Sequence, residues 1–287
     1  MKFCDIHMRD PFIMPVNGKY YLYGSRGPEA WGDCTGLDVY VSDDLENWSD
    51  AVEVFTPPAD FWSHHNFWAP EVHAYKGKYY MFVSFISDTR KLGTQILISD
   101  DPMGPFVPHS DGPVTPAEWM CLDGTLYVDE DGTPYMVFCH EWVQVKNGEM
   151  CAIQLTPDLK APVGEPMLLF KANELPGVVS QDAEKTCFVT DGPFMYRNSN
   201  GKLLMIWSSF GVDGYLEAIA YPDNNKLTGK WIQSDKLLFS KDGGHGMIFK
   251  TYEGKLMFVC HSPNNNPNER PKLVEICEDG DLLKVKA

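Results

Sequence analysis

The chain is 287 residues long, 44% hydrophobic, and carries a formal net charge of −16. Its length suits a single all-β barrel or propeller, and no apolar run approaches the roughly 20 residues that a membrane span requires. A surface this acidic repels phosphate backbones and anionic lipid, which argues against nucleic acid and membranes as partners and for a neutral one.

At the N-terminus, Met1 leads straight into Lys2-Phe3-Cys4-Asp5 without the basic and apolar regions of a secretory signal, which predicts a cytoplasmic protein. The first unit is DPFIMPVNGKYYLYGS from Asp10: a polar start, an alternating strand, an Asn17-Gly18 turn, and an aromatic strand ending in small residues. The phrase returns as APEVHAYKGKYYMFVS from Ala69, DGTLYVDEDGTPYMVFCH from Asp123, DGPFMYRNSNGKLLMIWSS from Asp191 and GHGMIFKTYEGKLMFVCHS from Gly244. The turn glycines Gly18, Gly77, Gly132, Gly201 and Gly254 set an irregular period of 53 to 69 residues, room for a four-stranded blade and a variable loop. Thr94 to Ser99, Glu149 to Leu155 and Tyr215 to Ala220 supply further strands, and helical periodicity is nearly absent. The prediction is one all-β unit over residues 1–287, a five-bladed β-propeller with blades of about four antiparallel strands. The eight cysteines show neither C-x-x-C nor metal-ligand spacing, several lie inside apolar runs, and they read as buried free thiols.

Counted back eight to ten places from the turn glycines, the repeats align Asp10, Ala69, Asp123, Asp191 and His245 at the mouth of each first strand. The first strand of a propeller blade is innermost, so these positions ring one end of the central channel. A single Asp-Pro or Asp-Gly is only a turn former. Three aspartates in repeat phase make a site, serving either a metal or acid/base chemistry. Glycoside hydrolysis needs two carboxyls in opposite protonation states, and a third nearby raises the acid's pKa and orients it. The aromatic share of 13% suits stacking on sugar faces, with Trp68 and Trp207 as preferred platforms and Trp31, Trp62, Trp119 and Trp142 in the loops. His140, which ends the third repeat beside Glu141, is a further substrate-facing candidate.

Through Arg9-Asp10-Pro11-Phe12-Ile13, Trp68-Ala69-Pro70-Glu71-Val72, Leu122-Asp123-Gly124 with Asp129-Glu130-Asp131-Gly132, and Asp191-Gly192-Pro193 with Trp207-Ser208-Ser209, the whole chain resembles the propeller hydrolases of glycoside hydrolase family 43. The resemblance implies an inverting mechanism: Asp10 as the general base that activates water, Asp123 as the residue that tunes and holds the acid, and Asp191 as the general acid. The family's acid is normally a glutamate in Glu-Gly-Pro, whereas aspartate stands here, so Glu141 or Glu184 on a neighbouring loop is the alternative donor. His245 matches a central histidine that in many relatives helps hold calcium or another ion in the channel, largely through water; no other cofactor is implied. The substrate expected is an oligosaccharide or polysaccharide that yields arabinofuranose, galactofuranose or xylose. A catalytically dead carbohydrate-binding propeller and a protein-interaction scaffold are the competing functions, and a scaffold predicts no phased acids. The propeller fructan hydrolases, the nearest enzymatic rival, carry a Glu-Cys acid motif absent here.

Overall fold

The second strand of each repeat is an almost unbroken apolar run, as expected of a strand packed on both faces. A computed structural model, which describes residues 1–286, shows what covers those faces: twenty strands form five antiparallel four-stranded sheets arranged as the blades of a propeller. The first blade contains β1 (Met8–Val16), β2 (Lys19–Arg26), β3 (Leu37–Ser42) and β4 (Val52–Phe55). The second contains β5 (His65–Tyr75), β6 (Lys78–Ile86), β7 (Gly93–Ser99) and β8 (Val107–Pro113), and the third β9 (Cys121–Val128), β10 (Pro134–His140), β11 (Glu149–Leu155) and β12 (Pro162–Lys171). The fourth is β13 (Asp191–Arg197), β14 (Leu203–Gly211), β15 (Gly214–Pro222) and β16 (Trp231–Gln233), and the fifth β17 (Gly244–Lys250), β18 (Leu256–Ser262), β19 (Arg270–Asp279) and β20 (Leu282–Val285).

Neighbours in each sheet are consecutive in the chain, so each blade is one contiguous stretch and no sheet is shared between the two ends. Leu22 and Tyr23 of β2, Met81 to Val83 of β6, Met136 to Cys139 of β10, Leu203 to Trp207 of β14 and Phe258 to Cys260 of β18 are fully buried between blade faces. Each such large side chain contributes roughly 1.5–3 kcal/mol of burial. The outer strands are blunted: β8 and β12 each carry two prolines, and β4 and β20 are four residues long, which limits edge-to-edge pairing. The turn glycines all have positive φ, between 78° and 85°, as tight hairpins demand.

One irregularity recurs in every blade. The register of the first two strands slips between Arg9 and Phe12, Trp68 and Glu71, Leu122 and Thr125, Asp191 and Phe194, and Gly244 and Met247. The first extra residue of each bulge has positive φ: Asp10 53°, Ala69 49°, Asp123 57°, Gly192 45° and His245 49°. These are the truly equivalent positions, and Asp191 is therefore one residue ahead of the phase expected from the sequence. Gly192 takes the bulge position because a Cβ there would lie 2.6 Å from the His245 ring.

The bulge N–H groups tie one blade to the one before it. Ala69 donates to Ser25 Oγ at 2.8 Å, Asp123 to Ser84 Oγ at 2.9 Å, His245 to Ser208 Oγ at 2.7 Å, and Asp10 to His261 Nδ1 at 3.2 Å. The acceptors occupy one register position on the second strands, opposite Arg9, Trp68, Asp191 and Gly244. Ser208→Ala leaves the buried His245 N–H unmet, and a loss of about 1–3 kcal/mol is expected, measured as a lower urea midpoint at unchanged m-value.

Candidate active site

The bulges gather the predicted carboxylates around one imidazole. His245 Nδ1 lies 3.2 Å from Asp10 Oδ1, 3.9 Å from Asp123 Oδ2 and 3.9 Å from Asp191 Oδ1. All four residues line a cavity of about 570 Å³ at the channel mouth. Its polar side adds Arg9, Asn264 and Glu269; its apolar side is built from Leu92, Met120, Leu122, Trp142, Val189 and Phe210.

Each carboxyl meets a different environment. Burial opposes ionisation of Asp10, but the charges of His245 and Arg9 and a 2.6 Å hydrogen bond from Ser25 outweigh it and hold the pKa below the usual carboxylate range. Asp123 has the opposite balance: burial first, then the charge of Asp191 and a hydrogen bond with it, push its pKa well up. Its Oδ2 accepts the Gly192 N–H at 3.1 Å, because Cys139 stands where the other blades place a serine or histidine acceptor. Asp191 Oδ2 accepts from the Tyr215 hydroxyl at 2.5 Å. Burial lowers His261 to a pKa of about 4, so the ring is neutral at pH 7; Nδ1 accepts the Asp10 N–H, which leaves the proton on Nε2, 3.2 Å from Asn264 Oδ1.

Ligand atoms of Asp123, Asp191 and His245 lie within 4.8 Å of one another. His245 Nδ1 faces all three aspartates, so these side chains form one ion-pair knot around the imidazole. The buried Nε2 has no protein partner and is the atom left for water or a water-held ion.

The rim of the cavity is aromatic. Trp31, 57% exposed, meets Trp68 edge-on at 5.3 Å between ring centroids, and the Arg9 guanidinium lies 5.2 Å from the Trp31 ring. Arg9 is fixed from behind by Glu269 at 2.7 Å and Asn264 at 2.9 Å. Trp68 donates its indole N–H to the Ala30 carbonyl and presents its face to the cavity.

Comparison with known proteins places this geometry. The sequence profile described as Glycosyl hydrolases family 43 matches residues 4–278. The chain belongs to glycoside hydrolase family 43. The crystal structure of an endo-arabinase from Bacteroides thetaiotaomicron VPI-5482 is similar at 40% identity, covering 98% of each chain with a TM-score of 0.90. The extracellular endo-alpha-(1->5)-L-arabinanase 1 of Bacillus subtilis (strain 168) is 28% identical over 152 residues, 48% of this chain and 45% of that protein. The xylosidase/arabinosidase 43A of Humicola insolens is 28% identical over 150 residues, again 48% of this chain and 45% of that protein. The alignments thus span about half the length of these curated relatives.

Within the family-43 scaffold, two expected sugar contacts lie elsewhere. Trp207 is fully buried on β14, packs on Phe170 at 5.1 Å and donates to Gln233 at 3.0 Å, so it is core. His140 lies outside the cavity: Glu149 and Gln144 each hold one ring nitrogen at 3.0 Å, and Trp119 stacks on the ring at 4.1 Å. Glu184 is exposed and also off the cavity, whereas Glu141 lines it. Tyr215, Asn264 and Glu269 were not foreseen; they come from later strands and loops with no repeated motif. Arg9 had a usable signal, its place immediately before Asp10.

Below His245 lies a buried acid. The Ser208 hydroxyl donates a hydrogen bond to Glu217 Oε2 at 2.7 Å, Oε1 has no partner, and burial raises the pKa of Glu217 well above the usual value. The unfolded chain releases this proton near pH 4.5 and the folded protein keeps it to higher pH, so native stability falls as pH rises above 4.5. Glu217→Gln is expected to gain stability relative to the parent as pH is taken from about 5 to about 8. A melting-temperature difference that stays flat across that window shows instead a folded carboxyl that ionises normally.

Proposed function

We propose that this chain is an inverting glycoside hydrolase of pentosyl glycans, with arabinan as its first substrate and arabinoxylan or xylan as the related alternatives. The observation that carries the reading is the split in protonation across one cavity: an Asp10 held ionised within about 7 Å of Asp123, a carboxyl that retains its proton, both facing His245 Nδ1. Inverting hydrolysis uses that pairing, a base to deprotonate water and an acid to protonate the departing oxygen. Family membership supports glycoside chemistry, and likeness to an endo-arabinase along nearly the full length of both chains supports arabinan. Trp31 and Trp68 offer aromatic faces to a pentose ring, and Arg9, braced by Glu269, offers donors to its hydroxyls. Galactofuranosides belong in the same substrate screen.

On this reading Asp10 is the base and Asp123 the group that holds the adjoining carboxyl, with Asp191 where the family keeps its acid. Asp10→Asn removes the base while keeping the Ser25 contact, and a fall in turnover of about two to four orders of magnitude on linear arabinan is expected. Proton NMR of the nascent sugar should show the inverted anomer. Binding of arabinan without turnover by the parent protein decides instead for a carbohydrate-binding propeller, and a retained anomer for a nucleophilic mechanism.

His245 Nε2 supports a second element of the proposal, a calcium or other ion held in the channel through water. An ion there stabilises only by mass action. A chelator should then lower the melting temperature slightly and reversibly; no response leaves Nε2 to water alone.

A further inference from the structure

We propose that Glu141, rather than Asp191, delivers the proton to the leaving oxygen, an inference that rests on the reading of this chain as an inverting glycoside hydrolase with Asp10 as base. The surroundings of Asp191 argue against it as donor. Its Oδ2 accepts from Tyr215, it is hydrogen-bonded with Asp123, and its Oδ1 lies 3.9 Å from the His245 ring nitrogen. Such contacts occupy both carboxyl oxygens and draw the short side chain inward, toward the channel. With Asp10 3.2 Å from the same nitrogen, the Asp10 and Asp191 oxygens can be no more than about 7 Å apart, at the floor of the roughly 6.5–9.5 Å that admits a water and a sugar carbon. Replacing the family's glutamate by aspartate has converted a reaching acid into part of the ion-pair knot.

Glu141 is free of that knot and faces the same cavity. It follows directly on β10, and its N–H donates to the Met120 carbonyl at 2.8 Å, which anchors it above the third blade. It is 7% exposed and stands on the apolar side of the cavity with Met120, Trp142 and Val143. Burial first, and the charge of Asp191 second, push its pKa up to about 8, so its carboxyl carries a proton at neutral pH. The titrating groups around it are Asp191 and the thiols of Cys121 and Cys139, which burial keeps neutral.

The step balances with these two residues. Water oxygen bonds to the anomeric carbon as its proton passes to Asp10. The bond from that carbon to the leaving oxygen breaks, and the leaving oxygen takes the proton of Glu141. Asp10 ends protonated and Glu141 ionised, and exchange with solvent restores both.

The test compares the parent, Glu141→Gln and Asp191→Asn on linear arabino-oligosaccharides and on the same sugars carrying a dinitrophenyl leaving group, which departs without protonation. Glu141→Gln should lose about 10²–10⁴-fold in kcat on the natural linkage and less than about tenfold on the aryl substrate, and its kcat/KM profile should lack the alkaline fall near pH 8. Asp191→Asn should depress both substrates alike. The inference is overturned if Glu141→Gln keeps the natural-linkage rate, if it lowers both substrates equally, or if Asp191→Asn shows the leaving-group split. A parent that cleaves neither substrate overturns the hydrolase reading itself, and this inference with it; cleavage by the parent with an unaffected Glu141→Gln removes only the assignment of the donor.

Discussion

The channel mouth depends on a single backbone device, the bulge that opens each blade. Positive φ at a non-glycine residue costs roughly 1–2 kcal/mol, and four of the five bulges accept that strain at Asp10, Ala69, Asp123 and His245. What offsets it is the N–H that the bulge turns toward the preceding blade, since a buried donor left unmet costs a further ~1–3 kcal/mol. Four of these groups find Ser25, Ser84, Ser208 and His261. The fifth cannot use Cys139, a weak acceptor, and takes the Asp123 carboxyl oxygen instead. The contacts that hold the blades together thus also aim the acids.

The same compactness forces a division of charge. Several carboxyls within a few ångströms cannot all ionise, and each resolves the conflict according to its donors. Asp10 has Ser25, Arg9 and the His245 imidazole around it and gives up its proton, whereas Asp123, Glu141 and Glu217, richer in burial than in donors, keep theirs. A chain of net charge −16 therefore places the half-buried Arg9 next to Asp10, the acid of this cluster that is held ionised.

Much of this was legible in the sequence. Repetition of a hairpin phrase with a turn glycine gave blade number and strand order, because hairpins are local and their turn chemistry is explicit. The ring of Asp10, Asp123 and His245 was legible for the same reason. Asp191 was misplaced by one residue because a bulge adds a residue without changing composition, and counting back from a turn cannot see it. Trp207 and His140 were misread because residue type says nothing of which blade face a side chain enters: Trp207 points between blades, and Trp119 caps His140. Tyr215 and Glu269 were invisible for a different reason, being brought to the site only by ring closure and by a third strand that carries no repeated motif.

Ring closure itself has a consequence for how the protein fails. Four of the five junctions between blades are spanned by the chain, but the junction of the fifth with the first is held only by non-covalent contacts: Asp10 to His261, Arg9 to Glu269 and Asn264, and the tyrosines Tyr20 and Tyr252 at the far end. Asp10, the proposed base, lies on that junction. Opening of this junction would part Asp10 from the His245 imidazole that helps keep it charged, with every sheet still folded. Opening of this one seam is therefore a local event, expected to precede the loss of β-structure.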